Sequence, residues 1–335
     1  MKRRLKKMNK NSARDLPPEE YDAKAEEALH GDIRMLSGCA DAQTSADVHD
    51  VASFGLPDAD GAGGACTHAL LKAMQDGHES YVDVLKDMRE TLKDKRFTQV
   101  PQLSASRRVD MRENFQIKQD GGRCKALTIG INYVGQQGEL KGCWNDVEAV
   151  TAFLNEQAGF EGAEFKTLLD DGEHEAPTAG NIIKAIRWLV DDAQEGDSLW
   201  FSYSGHGGSV ADDGSDEADS MDETLVPVDY RESGQIRDDD LFANLVAKVP
   251  AGCRLTVLID ACHSGTVLDL PYSFSATDDA LTTVADNPDT ASLIPPNSAF
   301  DFGKLLSIAK TVFMMHMSGT PPDQIAAFVK SQVGM

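Results

Sequence analysis

Two glycine-rich turns carry the side chains best placed for covalent chemistry. Leu199 to Ser204 reads as a buried strand and runs into Gly205-His206-Gly207-Gly208. Leu255 to Asp260 reads the same way and runs into Ala261-Cys262-His263-Ser264-Gly265. A cysteine attacks as its thiolate, and a nearby histidine supplies the proton acceptor that makes one. Glycines beside the pair let backbone N–H groups approach a developing oxyanion. Either residue alone reads more simply as a packed thiol or a loop imidazole. Their matched placement at two strand ends favours a reactive pair, His206 with Cys262. His263 has no direction set by the pattern and is not assigned as the base.

Acid is the second feature. From Asp212 to Asp240 the chain carries twelve acidic residues against two arginines. This is no EF-hand: counted from Asp212, the third position is Gly214 and the sixth is Glu217, where such a loop needs an acid and a glycine. Most of these residues read as a solvated face, yet clustered carboxylates are also the oxygen donors that a hard cation takes. A Gly-x-x-x-x-Gly-Lys phosphate loop, a Cys/His zinc spacing and a Gly-x-Ser-x-Gly turn are all absent from the sequence.

The elements that must position these turns alternate. Ala126 to Asn132, Glu164 to Leu169, Leu199 to Ser204 and Arg254 to Asp260 read as strands. Asn145 to Glu156, Thr178 to Asp192 and Asp238 to Ala247 read as helices, with Thr178 capping after Pro177. Such alternation predicts an α/β fold with a mostly parallel central sheet flanked by helices, its site at the carboxyl ends of the strands.

Residues 31–103 read as a smaller α/β unit. It holds a strand at Ile33 to Leu36, helices at Ala65 to Gln75 and Tyr81 to Leu92, and an edge strand at Phe97 to Leu103 containing Pro101. In the second helix Val82, Leu85, Met88 and Leu92 recur at near-helical spacing. Residues 104–124, with Arg107, Arg108, Arg112, Lys118 and Arg123, read as an exposed basic linker. Residues 1–30 read as a flexible basic tail, broken at Pro17-Pro18. The main unit is 125–270, and 271–335 is expected to be an irregular segment followed by helices at Phe302 to Met317 and Asp323 to Val333.

Composition narrows the partners. The chain has 335 residues and a formal net charge of −23. A polyanion of this size is a poor ligand for nucleic acid or an anionic membrane surface. No apolar run reaches the roughly 18 residues that a membrane-spanning helix needs. The basic start at Lys2 to Arg14 lacks the apolar stretch of a secretory signal. The six cysteines form no C-x-x-C pair. They read as reduced thiols of an intracellular, cytoplasmic protein, expected to be a monomer.

The turns Tyr203-Ser204-Gly205-His206-Gly207 and Asp260-Ala261-Cys262-His263-Ser264-Gly265 resemble those of the metacaspases, caspase-fold cysteine peptidases. Leu36-Ser37-Gly38-Cys39-Ala40-Asp41, Gly64-Ala65-Cys66-Thr67 and Phe97-Thr98-Gln99-Val100-Pro101-Gln102-Leu103 resemble that family's small subunit. Here the small unit precedes the catalytic one, the order of type III metacaspases.

The resemblance implies a caspase-like sandwich and cleavage of proteins or peptides after Arg or Lys. It assigns a Cys262–His206 dyad, with the Gly207 and Cys262 amides facing the oxyanion. It implies calcium as cofactor, held by Asp222, Asp238, Asp239 and Asp269. It also implies a pocket for the basic side chain at Cys143, Asp146, Ser204 and Asp260, bordered by Asp41. Two carboxylates beside a nucleophile suit a cation, since unpaired buried charge is costly; Asp146 capping its own helix is the plainer alternative. The expected activity is a calcium-dependent cysteine endopeptidase. The rival reading is a catalytically silent calcium-binding interaction module on the same fold.

Overall fold

Runs of apolar and β-branched residues without a charge build the centre of the molecule. In the computed structural model, residues 16–38, 47–48, 62–211, 221–261, 265–286, 292–297, 300 and 324 are described. The elements in order are α1 (Pro18–Ala28), β1 (Asp32–Ser37), β2 (Asp47–Val48), β3 (Gly63–Gly64), α2 (Ala65–Gln75), α3 (Tyr81–Asp94) and β4 (Gln102–Ala105). Then come β5 (Cys124–Gly130), α4 (Cys143–Glu156), β6 (Glu164–Leu169), α5 (Ala179–Val190), β7 (Ser198–Ser204), β8 (Gly207–Ala211) and β9 (Met221–Leu225). The last are α6 (Tyr230–Ser233), β10 (Ile236–Arg237), α7 (Asp238–Asn244), β11 (Arg254–Asp260), β12 (Tyr272–Ser275) and α8 (Asp278–Asp286).

The main sheet has seven strands in the order β12-β4-β1-β11-β7-β5-β6. Pairings among β1, β11, β7, β5 and β6 are parallel, and those of β4 with β1 and β12 are antiparallel. The expected α/β fold with a mostly parallel sheet is therefore observed. The middle of the sheet is dry: Trp200, Phe201, Leu255, Val257 and Leu127 are at most 1% exposed. Full burial of a side chain of this size contributes about 1.5–3 kcal/mol. The register sets Ser204 beside Asp260 on one flank and beside Gly130 on the other, so three strand ends finish in one row.

Helices pack by their apolar stripes. On α3 the inward residues are Val84, Leu85, Met88 and Leu92, while Val82 is only partly covered. Ser80 caps α3 by accepting from Asp83 N–H at 3.2 Å. Thr178 caps α5, as its position predicts. Among the described residues no helix is long and apolar enough to cross a membrane.

Several local expectations are corrected. Residues 18–28, expected within a flexible tail, form α1, because Pro18 at the first helical position gives up no hydrogen bond. Tyr21, Ala25 and Ala28 of α1 are buried, and the Tyr21 ring meets Tyr272 edge-on at 5.4 Å. The strand expected at 97–103 starts only at Gln102. It is interior rather than at an edge, since Pro101 lies just before its first paired residue.

The linker at 104–124 is packed, with Val109, Met111, Phe115 and Ile117 buried. Its arginines are tied down: Arg108 to Asp22 at 3.0 Å and Arg123 to Asp197 at 2.9 Å. The stretch 271–299, expected to be irregular, contributes β12 and α8, because Tyr272 and Phe274 bury on the open side of β4. The helices expected beyond 302 lie outside the described residues, apart from Gln324, which is helical.

Candidate active site

His206 stands two residues past the end of β7, and its main chain is held on both sides. Its N–H donates to Tyr133 Oη at 2.9 Å, and its carbonyl accepts from Tyr203 Oη at 2.8 Å and from Val226 N–H at 3.1 Å. Tyr133 Oη donates onward to Val226 O at 2.7 Å. Burial raises the pKa of both phenols, so they act as neutral hydrogen-bonding groups. Gly205 lies so close to both that a Cβ there would come 2.9 Å from Tyr203 Oη and 3.0 Å from Tyr133 Oη.

The imidazole is oriented by a backbone group. His206 Nε2 lies 2.6 Å from Gly138 O. A carbonyl can only accept, so in the neutral ring Nε2 carries the hydrogen and Nδ1 keeps its lone pair. Gly138 holds φ +83°, and a Cβ there would stand 3.1 Å from Nε2. The Tyr133 ring covers the imidazole at 4.7 Å between centroids. Tyr133 and Gly138 were not selected from sequence. Tyr133 follows the first strand of the main unit closely, which is a weak signal, and a carbonyl acceptor leaves none.

Gly207 lies opposite Leu225 on β9. The neighbouring pair, His206 and Val226, makes its backbone bond at 3.1 Å. Alternation along an antiparallel ladder then points the Gly207 N–H away from β9. Among the described residues β8 is an outer strand of its three-stranded sheet, so that N–H points to the side with no described strand. Cys262 and Asp41 lie outside the described residues.

The pocket candidates Cys143, Asp146, Ser204 and Asp260 are all buried. Gly130 permits this arrangement, since a Cβ on it would come 2.5 Å from Cys143 O at the start of α4. Asp146 does not cap its own helix; its Oδ1 accepts from Gly64 N–H at 2.8 Å. Asp260 Oδ2 accepts from Thr67 N–H, also at 2.8 Å.

Gly64 is the N-cap of α2 and has no side chain to offer, so Asp260 supplies the capping oxygen from another strand. The positive end of α2 thus faces both acids. A Cβ on Gly64 would come 2.1 Å from Asp260 Oδ2 and 2.9 Å from Asp146 Oδ2, so both carboxylates meet over that one residue. His68 completes the group, with Nδ1 at 3.0 Å from Gly64 O and 3.3 Å from Asp146 Oδ1. Burial opposes its charge, but the Asp146 carboxylate outweighs that and raises its pKa above the usual range. His68 too was not selected from sequence.

A second set of acids gathers elsewhere. Asp222 on β9 and Asp238 and Asp239 at the start of α7 bring ligand oxygens within 4.8 Å of one another. Asp269 adopts φ +46° after a tight turn closed by its N–H on Thr266 O at 2.7 Å. Desolvation first, then the charges of Asp269, Asp239 and Asp222, push Asp238 up to about 9. Arg237 Nη1 lies 3.0 Å from Asp222 Oδ2. The oxygens of Asp222, Asp238 and Asp239 make an all-oxygen cluster with one arginine at Asp222, which fits a hard divalent cation, while Asp269 joins it through the charge it exerts on Asp238.

Residues 124–271 match the family described as metacaspase, peptidase C14 domain, and residues 4–111 match the caspase domain. The chain is 47% identical over 299 residues to Metacaspase III c of Phaeodactylum tricornutum, covering 86% of each. It is 48% identical over 163 residues to Metacaspase-1 of Scheffersomyces stipitis, covering 48% of this chain and 40% of that one. It is 41% identical over 223 residues to Metacaspase-1 of Sclerotinia sclerotiorum, covering 66% of this chain and 49% of that one. The chain thus spans less than half the length of these two fungal relatives.

Proposed function

The chain belongs to the metacaspase family of caspase-like cysteine peptidases, and on that premise we propose that it is a calcium-dependent endopeptidase cutting after Arg or Lys. The observation that carries the catalytic part is the imidazole of His206 held by Gly138 O at 2.6 Å. With Nε2 engaged, Nδ1 takes the proton of Cys262. The thiolate adds to the substrate carbonyl, and the Gly207 and Cys262 N–H groups receive the negative oxygen. His206 returns its proton to the leaving amine as the peptide C–N bond breaks and a thioester remains. His206 then accepts a proton from water, whose oxygen attacks the thioester, and the proton passes to the departing Cys262 sulfur.

Asp146 and Asp260 form the acidic floor for the substrate's basic side chain, with Cys143 and Ser204 beside them. Both acids already receive backbone N–H donors, which reduces the cost of burying them before substrate arrives. Asp222, Asp238, Asp239 and Asp269 are the residues that would hold calcium. Bound there, the ion neutralises acids that otherwise repel each other on β9, α7 and the turn after the nucleophile.

The test is a panel of fluorogenic peptides with Arg, Lys or Asp before the scissile bond, assayed with calcium and with chelator. Arg and Lys peptides should be cut in calcium, and Cys262→Ala or His206→Ala should lower kcat by about 10³-fold or more. A preference for Asp peptides would overturn the pocket. Calcium binding without turnover of any peptide by the unmodified protein would establish the silent module instead.

A further inference from the structure

One peptide unit beyond the nucleophile is held from both sides. The carbonyl of Gly265, three positions after Cys262, accepts from Gln102 Nε2 at 2.9 Å and from Ser104 Oγ at 3.4 Å. The N–H of the same peptide, on Thr266, donates to Glu223 Oε2 at 3.0 Å. Gln102 and Ser104 belong to β4, and Ser275 Oγ on β12 donates to Gln102 Oε1 at 3.0 Å, which fixes how that amide faces. Glu223 follows Asp222 on β9, and its own N–H donates to Asp238 Oδ2 at 3.1 Å. Glu223, Gln102 and Ser104 are 8%, 5% and 3% exposed. A buried carboxylate on β9 and a buried amide on β4 therefore converge on one peptide from remote parts of the sequence, and neither belongs to the dyad or the pocket.

We propose that Glu223 and Gln102 are positioning residues that clamp the Gly265–Thr266 peptide and thereby place the nucleophile. The inference rests on Cys262 being that nucleophile. The argument is geometric. On the near side of Cys262 the chain is fixed by the sheet, where Asp260 pairs with Ser204. On the far side the first anchored group among the described residues is the Gly265–Thr266 peptide. Anchors at Asp260 and at the Gly265–Thr266 peptide thus bracket Cys262 in sequence. Release of the far anchor passes the constraint on to the turn at 266–269 and lengthens the span between anchors.

An error of about 1 Å in a reacting group costs on the order of 10²-fold in rate. A hydrogen bond to a charged acceptor accounts for roughly ten- to a hundredfold. The loss should fall on kcat rather than KM, because the hydrogen bonds described for both residues go to the Gly265–Thr266 peptide and those described for Asp146 and Asp260 go elsewhere.

The experiment compares Glu223→Ala, Glu223→Gln and Gln102→Ala in the full chain at saturating calcium, with thermal melts to confirm folding. Two quantities are read: kcat and KM on an Arg peptide, and the rate at which iodoacetamide alkylates Cys262. Glu223→Ala should lower kcat by about ten- to a hundredfold with KM within threefold. Glu223→Gln should recover most of that loss, since its amide oxygen still accepts from Thr266 N–H. Gln102→Ala should lower kcat by severalfold, and the double Ala variant should fall less than the product of the two.

A Glu223→Ala kcat within twofold of the unmodified protein would sink the clamp. So would equal losses in the Ala and Gln variants, or an effect confined to the calcium midpoint with an unchanged plateau. If the unmodified protein cuts no basic peptide, the peptidase reading fails separately. Alkylation of Cys262 then judges the clamp: an unchanged rate in Glu223→Ala overturns it, and an altered rate restored by Glu223→Gln supports it.

Discussion

Asp146 and Asp260 share a type of side chain with Asp222, Asp238, Asp239 and Asp269, and all six are wholly or partly withdrawn from water. Their surroundings balance them differently. The first two meet the positive end of α2, two backbone N–H donors at 2.8 Å and the His68 imidazole. Among the other four, Asp222 pairs with Arg237 and Asp238 accepts from Glu223 N–H at 3.1 Å and Asp239 N–H at 2.7 Å, yet desolvation and the charges of Asp269, Asp239 and Asp222 still push Asp238 up to about 9. Buried carboxylates matched with donors brace a fold; carboxylates whose charges crowd together suit an outside cation. One arrangement suits a substrate side chain that comes and goes. The other suits a bound cation.

The sharpest way to break this contrast is to remove charge while keeping an acceptor. Asp146→Asn and Asp260→Asn preserve an oxygen for Gly64 and Thr67 N–H but delete the negative charge. Each should lower kcat/KM for Arg peptides by about 10²- to 10³-fold, the usual scale for one partner of a buried charge pair. Activity within twofold, together with a lowered melting temperature in Asp146→Ala and Asp260→Ala, would reduce both to braces of α2.

The carboxylate cluster is tested by direct calcium titration in a calorimeter. Asp238→Ala and Asp269→Ala should each weaken binding by about tenfold or more, by removing ligand oxygens. Arg237→Gln should strengthen it by severalfold, because the ion no longer competes with a guanidinium for Asp222. Unchanged isotherms in all three would mean that the cluster is not the calcium site.

The smallest effect is the pH response of His68. Its folded pKa is raised, so its stabilising contact with Asp146 is fully present below its ordinary pKa near 6.5 and fades as pH rises through the folded value. The melting temperature of the unmodified protein should exceed that of His68→Gln by about 2–4 °C in acid, a gap that closes in alkali. Where the imidazolium neutralises Asp146, a basic substrate finds less attraction. KM for an Arg peptide should therefore fall about two- to fivefold from pH 6 to 8.5 in the unmodified protein and stay flat in His68→Gln. Parallel profiles would show that His68 does not tune the pocket.

The residues themselves made much of this legible. Short charge-free runs rich in aromatic and aliphatic residues, such as Leu199–Tyr203, read as buried strands, and the glycines following β7 and β11 mark where a sheet of this kind exposes reactive groups. Local pattern misled where long-range packing decided. Pro17-Pro18 suggested a break but begins a helix, since a proline at the first helical position sacrifices no bond. The polar look of 271–299 hid β12, which exists because β4 left an edge for Tyr272 and Phe274 to cover.

Residue type and spacing by themselves determined the α/β order of strands and helices and pointed to His206, Cys262 and a set of aspartates as candidates for chemistry. Only the tertiary structure decided what each aspartate faces. Thr67 lies 193 positions from the Asp260 that caps it, and Gly138 orients His206 across 68 positions through a carbonyl that every residue type possesses. Local sequence encodes backbone preference and hydrophobic period. The charge state and direction of a buried polar group are set by donors that arrive from remote segments, and those meet only when the sheet has placed them.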